Sequence, residues 1–300
     1  MLPVTYLIPV YGRPIFWKDC LESLKEEPCE EVVIVGNGID QKYADQIRTY
    51  IQTDSRFRYH ELLEANLVHA LNYGIHLSKN EHIARLDIDD LVITGRTALQ
   101  FNYFLQNPGL ALLGGQVIHI GDGKLSGKQS HYPTFRTGLD LAMSRYCAIA
   151  HPTVMFRKTA VNAVGNYRPE FKHAEDYDLW LRLFEKFRID NLTSSLTYYR
   201  DHDDQISIKN ETEQNFSTLA AKLCHKKRIK KQRDLPLTKG NLKYLNTIRI
   251  LKKYSTFKAI KRKRFRLVYI GISALLSPVD FFIASKILLN RIKALMSEIL

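Results

Sequence analysis

Cysteine is scarce and scattered. Cys20, Cys29, Cys147 and Cys224 form no CxxC pair and no metal-ligand spacing, which excludes a disulfide-framed or zinc-framed scaffold and predicts reduced thiols in a cytosolic setting. The opening MLPVTYLIPV has no basic stretch leading into a long apolar one, so no signal peptide is expected. No internal repeat is apparent. Long apolar runs are missing as well: residues 267–283 make a run of 17 that contains Pro278 and Asp280, short for a transmembrane helix. The basic segments carry no CxxC…HxxxH pattern and no aromatic RNA-binding strand, which argues against a nucleic-acid partner.

What is present is a core and a charge gradient. Of the 300 residues 45% are hydrophobic and 11% aromatic, a composition that folds. The net charge of +13 sits at one end. Residues 1–200 hold 22 Lys and Arg against 23 Asp and Glu, and residues 201–300 hold 22 against 8. A near-neutral domain is therefore followed by a basic extension that should seek an anionic partner.

Apolar β-rich runs alternate with helical spacing. Strands are expected at 4–10, 31–37, 57–62, 82–89 and 110–120, and helices at 14–24, 40–52, 66–77 and 96–105. This order predicts an α/β fold with a mostly parallel central sheet flanked by helices. Ligands bind such sheets outside the carboxyl ends of the strands, where Pro9–Arg13, Gly36–Gly38 and Asp87–Asp90 fall. GDGK (121–124) reads as a hairpin turn. Residues 125–150 read as irregular, 151–158 as a strand, 175–187 as a helix and 192–200 as a strand. Strand signals vanish beyond about 215, giving a domain at 1–215 and a basic, mainly helical extension at 216–300.

Three groups of residues could carry chemistry. In ARLDIDDL (84–91) a strand ending in D-x-D projects Asp87 and Asp89 to one side, where two carboxylates can share one Mg²⁺ or Mn²⁺; an acidic turn is the plain alternative. Glu175 and Asp176 open a long helix. They either complement its dipole or include a general base, although the dipole would depress a base's pKa while burial or the nearby aspartates would raise it. In YYRDHDDQIS (198–207), Arg200 and His202 could hold an anion or a metal, or belong to a solvated loop. The tail clusters HKKRIKKQR (225–233) and KAIKRKRFR (258–266), beside the 267–283 run, fit an interfacial or re-entrant segment on an anionic membrane; a helical bundle capping the domain is the alternative.

Taken in order, TYLIPVYGRP…LESL, EVVIVGNGID, ARLDIDD with QFNYFLQNP, HPTVMFRK…VGNYR…AEDYDLWLRL and YYRDHDDQIS resemble glycosyltransferase family 2, inverting enzymes of the Rossmann-like GT-A fold that use nucleotide sugars. The resemblance runs from about residue 3 to about 210. It implies Asp89 as principal metal ligand for Mn²⁺ or Mg²⁺, Asp87 toward the ribose or the metal shell, and Asp90 as a support of the loop. It implies Pro9, Tyr11 and Arg13 in the nucleotide pocket, and Asn66, Asn72 and Arg85 as further donor-side contacts. It also implies Asp176 as catalytic base with Glu175 beside it, and His202 on the metal or diphosphate. Two positions depart from the family. The turn after the second strand reads Gly36-Asn37-Gly38 where an aspartate usually contacts the base, so Asn37 would take that place; an amide can still pair with uracil. Leu67 stands where glycine is common.

The implied activity is transfer of a hexosyl or N-acetylhexosaminyl group from a nucleotide-diphosphate donor, UDP favoured, to a saccharide or lipid-linked saccharide. Cell-surface polysaccharide synthesis at the cytoplasmic face of the inner membrane is the implied setting. A Mg²⁺-dependent nucleotidyltransferase and a nucleic-acid-binding protein acting through its tail are the alternatives.

Overall fold

The structure, a computed structural model, describes residues 1–121, 124–134, 136–201 and 210–230. The chain divides into two compact units, Met1–Gln232 and Arg233–Leu300; all described residues lie in the first. The tail run 267–283, the cluster 258–266 and His202 lie outside the described residues.

β1 (Leu2–Gly12) is the strand on which the first half is built. Val4 to Val10 are buried without a break, the signature of a parallel strand covered on both faces. It pairs in parallel with β2 (Cys29–Ile39) and β4 (His82–Arg85), and β2 pairs in parallel with β3 (Phe57–Leu62). The connecting helices are α1 (Trp17–Ser23), α2 (Gln41–Ile51) and α3 (Leu67–Leu77). Asp40 caps α2 by accepting from the Lys42 N–H at 3.1 Å, and Asn66 caps α3 by accepting from the His69 N–H at 3.1 Å. Each satisfies an amide that the helix leaves unpaired. α3 lies hard on β1: a Cβ at Gly74 would stand 2.1 Å from Leu7 Cδ1.

Beyond β4 the sheet becomes mixed. β8 (Met155–Arg157) runs antiparallel between β4 and β6 (Leu110–Gly121), β9 (Arg188–Asp201) runs parallel to β6, and β5 (Leu91–Val92) lies antiparallel on β9. The order is β3-β2-β1-β4-β8-β6-β9-β5, with β7 (Lys124–Gln129) hairpinned on β6. The expected parallel arrangement is therefore realised in β3-β2-β1-β4, and antiparallel partners extend it.

Three local expectations change. The strand expected over 82–89 ends at Arg85, because Asp87–Asp90 form a turn closed by the Asp90 N–H on the Asp87 carbonyl at 3.2 Å. His151–Thr153 is a 3₁₀ turn, where Pro152 cannot donate to a ladder. Residues 125–150, expected to be irregular, contain β7 and α5 (Arg136–Met143), which buries Leu139, Ala142 and Met143.

Buried polar groups lock the sheet to its helices. Arg96, 1% exposed at the start of α4 (Arg96–Gln106), donates to the carbonyls of Arg85, Pro152 and Val154, to Thr197 Oγ1 and to Gln100. It ties the end of β4, the 3₁₀ turn and β9 at one point. Short α6 (Lys158–Ala163) follows β8, and α7 (Glu175–Lys186) buries Trp180 completely. α8 (Glu211–Ile229) packs on α7, where Glu185 meets His225 Nδ1 at 2.6 Å and Arg228 Nε at 2.7 Å. Among the described residues no helix is long and apolar enough to cross a membrane.

Candidate active site

A cleft of 410 Å³ opens between the turn after β4 and the start of α7. Arg85, Asp87, Asp89, Glu175 and Asp176 all line it, so residues about 90 positions apart in sequence face one space.

The acidic turn is held from β9. The Arg200 N–H donates to Asp90 Oδ1 at 2.9 Å, and its Nε donates to the Asp89 carbonyl at 2.9 Å. The guanidinium stacks on Phe16 at 4.1 Å. Arg200, read from sequence as an anion or metal ligand, is 4% exposed and fastens the turn. Strand alternation does not bring the aspartates together, since the strand has already ended; the turn does so, and it adds Asp90. One oxygen from each of Asp87, Asp89 and Asp90 lies within 4.8 Å of the others. Burial, then the neighbouring aspartates, push the Asp90 carboxyl well above the usual carboxylate range. Burial also raises Asp87, opposed by Arg85 and reinforced by Asp89. Asp90 Oδ2 is buried with no hydrogen-bond partner. An all-oxygen set of three crowded carboxylates with one orphaned oxygen fits a hard divalent cation.

Across the cleft, Glu175 and Asp176 open α7. Glu175 is 7% exposed, and burial followed by the Asp176 charge pushes its carboxyl up to about 7. Burial raises Asp176 as well. Burial therefore outweighs the helix dipole. Asp176 is the more open of the two. It accepts from the Tyr177 N–H at 2.6 Å, and its Oδ2 lies 3.8 Å from the Cys147 thiol. A carboxylate held from behind with an edge toward the cleft can take a proton from a bound hydroxyl.

The remaining wall contains groups that no sequence signal singled out. His151 Nε2 lies 2.8 Å from the Tyr167 hydroxyl, with its ring 5.6 Å from that of Trp180. Burial drives its pKa well down, so it is neutral. His119 lies 3.0 Å from Asp201 and 2.8 Å from Ser130 Oγ, and its ring meets that of Tyr199 edge-on. Nothing in the spacing of His119, Cys147 or Tyr199 marks them; the mixed half of the sheet and the chain after α5 bring them in.

Other expected residues lie outside this cleft. Pro9 pairs with Val35 inside the sheet. Tyr11 is 62% exposed, and Arg13 reaches Asp40 at 3.5 Å at the β1 end. Asn37 is buried and donates to the Val10 carbonyl at 2.8 Å, so its amide N–H is engaged by β1. Asn66 is the α3 cap. Asn72 bonds both the N–H and the carbonyl of Tyr167, at 3.0 and 2.9 Å, and so fixes that segment. Leu67, the departure at the α3 start, does line the cleft.

The glycosyl transferase family 2 model matches residues 5–165. An O-antigen biosynthesis glycosyltransferase, WbnJ, from Escherichia coli is 34% identical over 177 residues, covering 58% of this chain and 68% of the relative. An amylovoran biosynthesis glycosyltransferase, AmsE, from Erwinia amylovora is 27% identical, covering 67% and 77%. Among solved structures, residues 1–349 of S. aureus TarS in complex with UDP-GlcNAc superpose with a TM-score of 0.60 at 14% identity, covering 94% of this chain and 79% of TarS 1–349. That likeness shows a shared fold.

Proposed function

Because the chain belongs to glycosyl transferase family 2, we propose that its cleft transfers a sugar from a nucleotide-diphosphate donor to an acceptor hydroxyl with inversion. The observation that carries this reading is the shared cleft, with the aspartate turn on one side and Glu175–Asp176 on the other. Asp87, Asp89 and Asp90, joined by His202, would hold Mn²⁺ or Mg²⁺, which would supply Lewis-acid stabilisation of charge on the diphosphate. Asp176 takes the proton of the acceptor hydroxyl as its oxygen bonds to the anomeric carbon. The bond from that carbon to the diphosphate oxygen breaks, and the nucleoside diphosphate departs with the electron pair. Direct displacement inverts the centre without a covalent intermediate, through an oxocarbenium-like transition state. Glu175 lines the cleft beside Asp176, whose charge raises its affinity for a proton. Tyr11 and Arg13 edge the nucleotide pocket at the β1 end.

The donor reading favours a UDP-hexose or UDP-N-acetylhexosamine, in line with TarS 1–349 having been solved with UDP-GlcNAc. The acceptor reading favours a growing surface polysaccharide or its lipid-linked precursor, supported by relatives named for O-antigen and amylovoran biosynthesis. The basic chain beyond α8, residues 231–300, would hold the enzyme on the anionic cytoplasmic face of the inner membrane. The test is calorimetry of the purified protein against a panel of nucleotide-diphosphate sugars with and without Mn²⁺, followed by product analysis. Metal-dependent binding of one donor and a transferred sugar are expected. A transferred nucleotide would replace this reading with a nucleotidyltransferase.

A further inference from the structure

Arg85 ends β4, and its guanidinium lines the cleft with 4% of its side chain exposed. Both Nη groups bond the carboxylate of Asp87. Its Nε is buried with no hydrogen-bond partner. The backbone is clamped from both sides: its N–H donates to the Val154 carbonyl at 2.9 Å, and its carbonyl accepts from Arg96 at 2.9 Å. Among the described residues lining the cleft, Arg85 is the one lysine or arginine, and it shares that lining with Asp87, Asp89, Glu175 and Asp176. Carboxylates taken out of water stay ionised when a cation remains beside them, and otherwise take up protons. A guanidinium cannot give up its proton in a protein.

We propose that Arg85 is the permanent counter-charge of the cleft, a positioning residue that links the acidic turn to the Glu175–Asp176 pair and favours the ionised form of that pair against burial, acting through its charge and not through contact with a donor.

Among the described residues, the surroundings of the pair leave this role to Arg85. Cys147 reaches Asp176 from the segment after α5, and Tyr132 approaches from the segment after β7. Tyr167 and His173 precede α7, Glu213 on α8 pairs with His173, and Asp87 belongs to the facing turn. These are acids or neutral groups, apart from His173, which burial lowers, and His151, which burial and Arg85 hold neutral; Lys172, before α7, is exposed and pairs with Glu213 at 3.4 Å. Arg85 lowers Asp87, Glu175 and Asp176 against the larger effect of burial.

The kinetic arm of the test rests on the transferase reading, and a stability arm does not. In the full chain, Arg85→Met should move the rising limb of the kcat–pH profile up by about one pH unit, with donor KM changed less than about threefold. Arg85→Lys, which keeps the charge and loses the fork, should hold the midpoint within about 0.3 unit. A raised donor KM with an unmoved midpoint overturns the proposal, since that marks a donor contact. Where Arg85→Met does not fold, Arg85→Lys decides, and an upward shift of about one unit in that variant also overturns it. If no donor turns over, melting temperature against pH still reads the charge. The gap between wild type and Arg85→Met should widen from about pH 6 to about 8.5, and widen less in a Glu175→Gln background. Parallel curves, or a widening that Glu175→Gln leaves unchanged, overturn the link to the pair.

Discussion

The backbone N–H of Arg200 donates to the Asp90 carboxylate at 2.9 Å across 110 residues of chain. The acidic turn is thus set by the far end of β9 as well as by its own strand. Its position depends on a strand that also carries Tyr199 into the cleft.

That dependence predicts the behaviour of Arg200→Met. The backbone bond to Asp90 survives, while the Nε bond to the Asp89 carbonyl and the stacking on Phe16 are lost. Binding of nucleotide-diphosphate sugar in Mn²⁺ should weaken about tenfold, the effect of one charge-assisted bond, with little change in metal-free binding. Equal losses with and without Mn²⁺ would mean that Arg200 serves the donor by another route.

The two sides of the cleft should separate kinetically. Asp176→Asn should bind donor normally and lose most of its turnover, because it removes the group that takes the proton. Asp89→Ala should lose the metal-dependent part of donor binding. Near-normal turnover in a folded Asp176→Asn protein removes Asp176 as the base, and unchanged donor affinity in Asp89→Ala removes Asp89 from the metal site.

The sequence marked both sides of the cleft, and it did so for chemical reasons. Asp87, Asp89, Glu175 and Asp176 stand out because carboxylates beside apolar runs need an explanation, and each lines the cleft. The first half of the fold was legible because parallel strands buried on both faces are uninterrupted apolar runs, as Val4–Val10 is. The second half was less so. β8 has three residues and β5 two, too short to show a period. Helix α5 was hidden because its apolar positions occupy only eight residues. Arg85 and Asn72 were readable as polar residues near the site but not in their partners. Arg85 meets Asp87 two residues on, whereas Asn72 meets Tyr167 across 95. Pairings of the second kind are a property of the folded domain.

Glu175 makes pH a probe of the pair. Its carboxyl sits at about 7 in the folded chain, against 4.5 for an ordinary glutamate. The folded state therefore holds a proton that the unfolded chain releases between those values. The associated stability is complete below about pH 4.5 and is lost as pH rises toward 7. Glu175→Gln removes that loss, so its stability should gain on wild type from pH 5 to 8 by up to about 3 kcal/mol in denaturant melts. The kcat of the wild type should rise with pH above the usual carboxylate range, because burial also raises the base Asp176. A stability difference that does not vary with pH would show that Glu175 is ionised throughout.

Arg96 should matter to the fold more than any surface charge. Arg96→Met leaves the carbonyls of Arg85, Pro152 and Val154 without their donor in a dry interior. The loss should be about 3 kcal/mol or more in a denaturant melt. A loss below about 1 kcal/mol would mean that water replaces the guanidinium there.

The basic extension can be tested only if the cut spares α8. Glu185 on α7 holds His225 and Arg228, and Gln214 lines the cleft, so a chain ended at residue 215 would strip a packed helix from the domain. A chain ending at Lys230 keeps that helix and removes the clusters at 231–233 and 258–266 with the apolar run 267–283. If the extension holds the enzyme on an anionic surface, the full chain should co-sediment with vesicles containing phosphatidylglycerol and leave them as salt is raised. The chain ending at Lys230 should stay in the supernatant while binding donor with the affinity of the full chain. Retained vesicle binding would move the membrane contact onto the domain itself, with Lys226 and Lys227 in the last turn of α8 as remaining cations.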